Sequence, residues 1–488
     1  MKEERYKTLD DLKKHPVFYN FLQICKIPHQ TFHEKELSDY LVKWATNLGL
    51  EVKQDSKFNL LIRKPASMGN EGKKPIILQA HIDMVCEKKP DVIHDFKKDP
   101  IPVQLDGDIL STGNKTTLGA DDGIGTAMAM AILEAKNLKH PPIDVIFTTS
   151  EEEDMSGALN VDKSWFHTNR LINLDNSFDN EMITGSAGGK GAELKVPLTY
   201  EDSNSTYVTY KIIVDNLTGG HSGEDIDKGR GNAIIILARC LDYLRTYFKF
   251  NIVDIEGGNF RLAIPREAHT TIAFSKEYLG IFKEKINIFI SEIKNVFETS
   301  EKNIQIKFLE DKYEDKILSL KSTNNIIDGI ILSPNGILQM ISHLGVVESS
   351  CNLGDIHTKD NNLFMVTEIR AIYESNREFI YKQILLVGDI IGGEVRDFSP
   401  YPSWTYKVHS NLRTLANRIY LEMFNHNIKN LVLHAGLECG CFTTKVNDLD
   451  AISIGPNTKD LHSPYESLSV SSTQKIYNYL IKILETLD

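Results

Sequence analysis

Apolar residues recur along this chain at two spacings, and the alternation between the two predicts its elements. Between residues 17 and 48, Phe18, Phe21 and Leu22, then Leu37, Tyr40, Leu41 and Trp44, fall three and four apart, as on helices with one buried face. Apolar runs at Leu60 to Arg63 and Pro75 to Ala80 predict short strands. Beyond the glycines of Gly119 to Gly125, the pattern predicts a helix over Thr126 to Lys136 and strands over Ile143 to Thr149 and Arg170 to Leu174. Near-continuous apolar strands alternating with helices predict an α/β fold: a mainly parallel sheet flanked by helices.

The pattern changes at Gly185 to Gly191 (GSAGGKG), which reads as a flexible, glycine-rich boundary. Beyond it, strands are predicted at Tyr207 to Val214, Phe260 to Phe274, Ile304 to Phe308 and Leu363 to Ala371. Helices are predicted at Asn232 to Tyr247, Leu279 to Phe297, Gly336 to His343 and Arg377 to Ile391. Two prolines in Asp397 to Ser403 (DFSPYPS) mark a second linker, after which α/β patterning resumes. The last helix begins near Ser471, with Ile476, Leu480, Ile483, Leu484 and Leu487 on one face. These boundaries predict a discontinuous α/β domain, residues 1–187 and 399–488, interrupted by an inserted α+β domain, residues 188–398.

Composition supports more than one core, because 488 residues exceed the roughly 250–300 that a single core serves. A net charge of -12 argues against nucleic acid or an anionic membrane as a partner. The segment Met1 to Lys14 has no apolar signal core, and no run approaches the roughly 20 apolar residues of a membrane span. Six cysteines without CxxC spacing are too sparse for a disulfide scaffold and point to a reducing, cytoplasmic setting.

Candidate chemistry gathers after the predicted strands. His81 and Asp83 follow PIILQA, and residues two apart on extended backbone point the same way. Asp121 lies in GADDGIG at a helix start, where an acid is commonly a cap, and Asp122 competes with it. Glu151, Glu152 and Glu153 follow IDVIFTTS and taken alone are a solvated charge run; Asp175 follows LINL, and His462 sits in the loop LHSPYES. Taken together they change meaning, because the carboxyl ends of strands in an open α/β sheet converge on one edge. Carboxylates gathered there repel one another unless cations intervene. A His/Asp/Glu set without Cys suits two divalent ions, zinc first, with manganese or cobalt as alternatives. The chain has no GxSxG elbow, P-loop or PCxxC pair to support other chemistries.

The ordered set QAHIDMV, TTLGADDGIG, the EE pair before MSGA, LINLD, GGHSGEDIDKGRGNA, HAGLECG and SIGPNTKDLHSP resembles the M20 family of metallopeptidases, and within it the aminoacyl-histidine dipeptidase branch. The resemblance spans about the whole chain. It implies a di-zinc catalytic domain with an inserted lid and dimerisation domain, a homodimer, and hydrolysis of dipeptides, Xaa-His among them. By the same resemblance His81 and Asp175 bind one metal, Glu152 and His462 the other, and Asp121 bridges both. Asp83 then orients His81, and Glu151 is the general base. His221 contacts substrate and stabilises the oxyanion, Arg370 is a candidate for the substrate carboxylate, and Glu438 for its α-amino group. The sequence departs from the branch in having Asp122 where Asn is usual and extra acids at Glu153 and Asp154, which leaves Glu152/Glu153 as an alternative base and ligand pair. An N-acyl amino acid deacylase, a tripeptidase and a non-catalytic binding module are the competing readings.

Overall fold

Strands Ile76–His81 and Ile143–Thr148 are buried at every position, which a sheet allows only when both its faces are covered. The computed structural model describes residues 6–312, 315–342 and 345–488. Those residues fold as two units: one takes in the chain up to Ser186 with Trp404–Leu433 and Leu437–Asp488, the other Ala187–Ser403 with His434–Gly436.

The first unit is built on an eight-stranded sheet in the order Glu51–Gln54, Leu60–Lys64, Ile143–Thr148, Ile76–His81, Arg170–Asn173, Asp450–Ser453, Glu181–Ser186, Lys429–Leu433. The four strands from Ile143–Thr148 to Asp450–Ser453 run parallel, so their carboxyl ends share one edge. Alternation along Ile76–His81 sends Ile76, Leu78 and Ala80 to one face and Ile77 to the other. On the first face they meet helices Pro16–Ile24, Ala120–Glu134, Asn411–Phe424 and Val470–Thr486. On the second, Ile77, Ile146 and Leu171 meet Ala158, Trp165, Cys441 and Phe442. Gln79 and His81 belong to that second face by the same two-residue period.

The second unit holds a nine-stranded antiparallel sheet, ordered Gln305–Glu310, Tyr207–Asp215, Ala268–Ser275, Asn251–Gly258, Val346–Lys359, Asn362–Ala371, Gly188–Pro197, Glu394–Tyr401, with Gly336–Ile341 added beside Val346–Lys359. Helices Leu279–Val296, Ala233–Arg245, Leu320–Leu332 and Glu374–Ile391 neighbour one another in that order and share an apolar core with the sheet.

Three expectations are corrected here. Residues Gly336–Ile341 form a strand rather than a helix, because a hairpin partner, Val346–Lys359, captures a segment too short to hold itself helical; His343 lies outside the described residues. GSAGGKG is not a flexible linker: it supplies the end of strand Glu181–Ser186 and the start of Gly188–Pro197. DFSPYPS likewise is not a linker through most of its length, since the edge strand Glu394–Tyr401 runs through it and pairs with Gly188–Pro197. The glycines serve close approach: a Cβ on Gly189 would lie 2.2 Å from the Tyr401 ring, and one on Gly191 2.6 Å from that of Phe398.

Gly189→Ala therefore overpacks a filled site, and we expect it to destabilise the protein by about 1–3 kcal/mol. Denaturant unfolding checks this; an unchanged midpoint would show that Tyr401 yields freely.

Candidate metal centre

Each parallel strand delivers one polar residue or loop to the shared edge. His81 ends its strand with its side chain wholly buried. Its Nδ1 lies 3.1 Å from the Asp83 carbonyl and 3.3 Å from Asp83 Oδ1, so the ring proton points that way. Nε2 then faces Asp121 Oδ1 at 3.1 Å. Two lone pairs this close need a cation between them, a proton or a metal ion. The other oxygen of Asp121 lies 3.4 Å from His462 Nε2, which is also 2.9 Å from Glu152 Oε2.

Two donor groups result: His81, Asp121 and Asp175, and Asp121, Glu152 and His462, each with its ligand atoms within 4.8 Å of one another. Asp121 belongs to both. Asp122, joined to it by a cis peptide bond, is buried and accepts from the backbone N–H groups of His81 (3.3 Å) and Gly125 (3.1 Å), apart from both groups. Glu153 and Asp154 are exposed and lie outside them too.

Glu151 and Glu152 open a short helical turn, Glu151–Asp154, whose flanking residues Ser150 and Met155 are both left-handed, at φ 56° and 53°. Such backbone needs support. Asp83 supplies it by accepting from the N–H groups of Glu151 (3.0 Å) and Glu152 (3.2 Å) while Thr31 Oγ1 donates to it at 3.0 Å. Glu34 accepts from Ser150 N–H at 3.0 Å and from its hydroxyl at 3.2 Å. Buried Glu438 begins helix Glu438–Thr443; its Oε2 accepts from Gln79 Nε2 (2.5 Å) and Thr148 Oγ1 (2.8 Å), whereas its Oε1 has no partner among the described residues.

The electrostatics follow from this crowding. Burial, with Glu152 and Asp175 nearby, pushes the Glu151 carboxyl well above its ordinary value. Burial and Asp121 do the same to Asp175, and burial lifts Glu438 to about 7. Asp121 goes the other way: against the effect of burial, His462 and His81 hold it well below the usual range. Contact with Asp121 and Glu152 raises His462 to about 11. The imidazoles thus supply the positive charge that the carboxylates lack.

His221 and Arg370 meet in the second unit. Glu224 N–H donates to His221 Nδ1 at 3.1 Å, which leaves the proton of the neutral ring on Nε2. Arg370 Nη2 stands 3.4 Å from that nitrogen, and Nη1 donates to the Tyr401 hydroxyl at 2.6 Å. Arg370 is 3% exposed, its Nε has no partner among the described residues, and Glu368 below it is held by Arg261 and Tyr401. His434 joins this cluster through Ser350 Oγ at 2.7 Å. Sequence reasoning passed over His434 and Tyr401. The first opens HAGLECG, where Glu438 drew the attention, and the second lay in a supposed linker.

Residues 77–486 match the model of peptidase family M20/M25/M40. The chain belongs to that family. It is 36% identical over 479 residues to the cytosol non-specific dipeptidase of Escherichia coli K12, covering 98% of each chain. Its structure matches the aminoacylhistidine dipeptidase of Vibrio alginolyticus with a TM-score of 0.91 at 34% identity, over 99% of both chains. A match to the aminopeptidase PepT of Bacillus cereus, with a TM-score of 0.55 at 16% identity, extends the shared fold alone. Family membership makes this protein a peptide-bond hydrolase and implies divalent metal ions.

Burial first, and the Arg370 charge second, depress the His221 ring from 6.5 to about 4. A ring kept neutral when folded stabilises the protein above about pH 6.5 and loses that contribution as the pH falls towards 4. We expect an NMR titration of His221 to show a midpoint near 4; a midpoint at the ordinary value would mean that the ring is neither buried nor faced by the guanidinium.

Proposed function

We propose that the protein is a two-metal dipeptidase that cleaves Xaa-His dipeptides and tolerates other side chains. The observation that carries this reading is the pair of His/carboxylate groups joined through Asp121. The donor set fits the ions: one imidazole nitrogen and carboxylate oxygens in each group and no thiolate, a chemistry that suits zinc, with manganese or cobalt as alternatives. Glu152 Oε1 is buried without a hydrogen-bond partner among the described residues, an acceptor that a cation satisfies. His81 and Asp175 would hold one ion, Glu152 and His462 the other, and Asp121 both. When bound, two divalent ions polarise the scissile carbonyl and acidify the attacking water.

In this reading the chain's own groups do the rest. Asp83 takes the Nδ1 proton of His81 in a hydrogen bond and so keeps Nε2 free as a ligand. Glu151, with its carboxyl raised by burial, accepts a proton from the attacking water and passes it to the leaving amine. His221 Nε2–H and Arg370 Nη2 are donors whose nitrogens lie 3.4 Å apart, close enough to meet neighbouring oxygens of one small substrate. That pairing suits His221 to an oxyanion and Arg370 to the substrate's carboxylate. Glu438, one oxygen still unpartnered, is our candidate for the α-amino group. The names of the two closely similar relatives support a dipeptide substrate, and that of the Vibrio alginolyticus enzyme alone supports histidine at its second position. No helix of the described residues is long and apolar enough to cross a membrane, and we place the enzyme in the cytoplasm, as the name of the Escherichia coli relative suggests. A homodimer rests on the family resemblance.

The deciding assay is a panel of Xaa-His dipeptides, other dipeptides, tripeptides and acetyl-amino acids on metal-loaded protein. We expect dipeptides to be preferred, and hydrolysis confined to tripeptides or acylated compounds would overturn the reading. Glu151→Ala should retain its metal, measured by mass spectrometry, and lose about 10²–10⁴-fold in kcat. Lost metal with activity rescued by excess zinc would instead make Glu151 a ligand.

A further inference from the structure

Glu466 follows His462 by four residues and is 2% exposed. Its Oε2 accepts from the backbone N–H groups of Leu118 (2.7 Å) and Gly119 (3.1 Å), and its Oε1 from those of Ala120 (2.8 Å) and Asp121 (3.4 Å). One carboxylate thus gathers four consecutive amides of the turn that ends in the residue shared by both donor groups. Gly119, left-handed at φ 69°, makes this convergence feasible, and a Cβ there would lie 2.9 Å from Met84 Sδ. The acid is itself anchored, since its N–H donates to the Ser463 carbonyl at 3.1 Å and the next strand, Ser467–Ser469, pairs with Ile109–Ser111. Of the two paired segments, Ile109–Ser111 precedes the turn that carries Asp121 and Ser467–Ser469 follows the loop that carries His462.

We propose that Glu466 is a positioning residue that locks the Asp121 turn to the His462 loop, so that the shared carboxylate and the imidazole reach a metal ion already aligned. The inference rests on the two-metal reading above. His462 has left-handed backbone at φ 57° and a side chain 51% exposed, so its own loop holds it weakly. Asp121 must serve two groups with its two oxygens, and a shift of its backbone would misplace both contacts at once. A buried carboxylate bound to backbone amides fixes the turn without bringing in a basic side chain, which would compete with the ions for Asp121 and Glu152.

Hydrogen exchange, metal affinity and kinetics test this. In metal-free wild-type protein, the amides of Leu118, Gly119 and Ala120 should resist hydrogen exchange, because Glu466 holds the turn before any ion arrives. Glu466→Gln keeps the size but turns an NH2 towards amide donors that it cannot accept from. We expect its metal affinity, read by metal content after dialysis against graded chelator, to fall roughly 10–100-fold. kcat at saturating metal should fall as well, with KM for a dipeptide changed less than about twofold, and Glu466→Asp should recover part of the affinity. Rapid exchange at these amides in the metal-free wild type would overturn the proposal, as would a folded Glu466→Gln with wild-type metal affinity and only a lowered melting temperature. Should Glu466→Gln fail to fold, the exchange result decides alone. Wild-type protein that retains no metal fails the two-metal reading instead, a result read without either variant.

Discussion

The architecture of the first unit turns on one electrostatic constraint: carboxylates gather at the edge of a parallel sheet where, among the described residues, no lysine or arginine is ion-paired with Asp121, Glu152 or Asp175. Asp121, Glu152 and Asp175 crowd round two imidazoles, and burial with mutual repulsion raises Glu152 and Asp175 while the imidazoles hold Asp121 down. A basic side chain would relieve the crowding but would occupy the oxygens that an ion needs. The second tier of acids follows the same logic. Asp83, Glu34, Asp122 and Glu466 are buried and bind backbone N–H groups, at Glu151 and Glu152, at Ser150, at His81 and Gly125, and at Leu118 to Asp121. Amide donors stabilise a buried carboxylate while fixing the position of the backbone that carries the ligands.

The second unit shows the opposite imbalance. Arg370 is buried with donors to spare, and the acid near it, Glu368, is already held by Arg261 and the Tyr401 hydroxyl. His221, kept neutral by burial and by that guanidinium, adds a further N–H. Buried polar groups left short of partners are destabilising to the folded chain alone, and they persist where a ligand completes them.

The sequence exposes much of the first unit's logic because several of the candidate groups follow an apolar run of the right length, although Asp121 lies at a helix start and His462 in a loop. His81, the Glu151–Glu152 pair and Asp175 could be placed at the ends of strands from local pattern, and parallel topology then brought them together. What escaped was held by distance along the chain or by buried polarity. Glu466 reaches across 345 residues to Asp121, and Glu34 across 116 to Ser150; neither lies in a local pattern that announces its partner. Strand Val346–Lys359 escaped because Glu348, Ser349, Ser350 and Asn352 are buried within it and break the apolar run. Helix Leu320–Leu332 carries Asn324, Asn325 and Gly329, poor helix formers that packing overrides.

The two cysteines beside Glu438 bear on the same constraint. Cys439 and Cys441 are buried on the face of the sheet to which Gln79 and His81 belong, and a thiolate there would bind a soft metal or oxidise. Burial first, then the Glu438 carboxylate, pushes both thiols far above their ordinary range, so they stay protonated and pack as small apolar groups. Neither thiol belongs to the two donor groups, whose candidate ligand atoms come, among the described residues, from imidazoles and carboxylates alone.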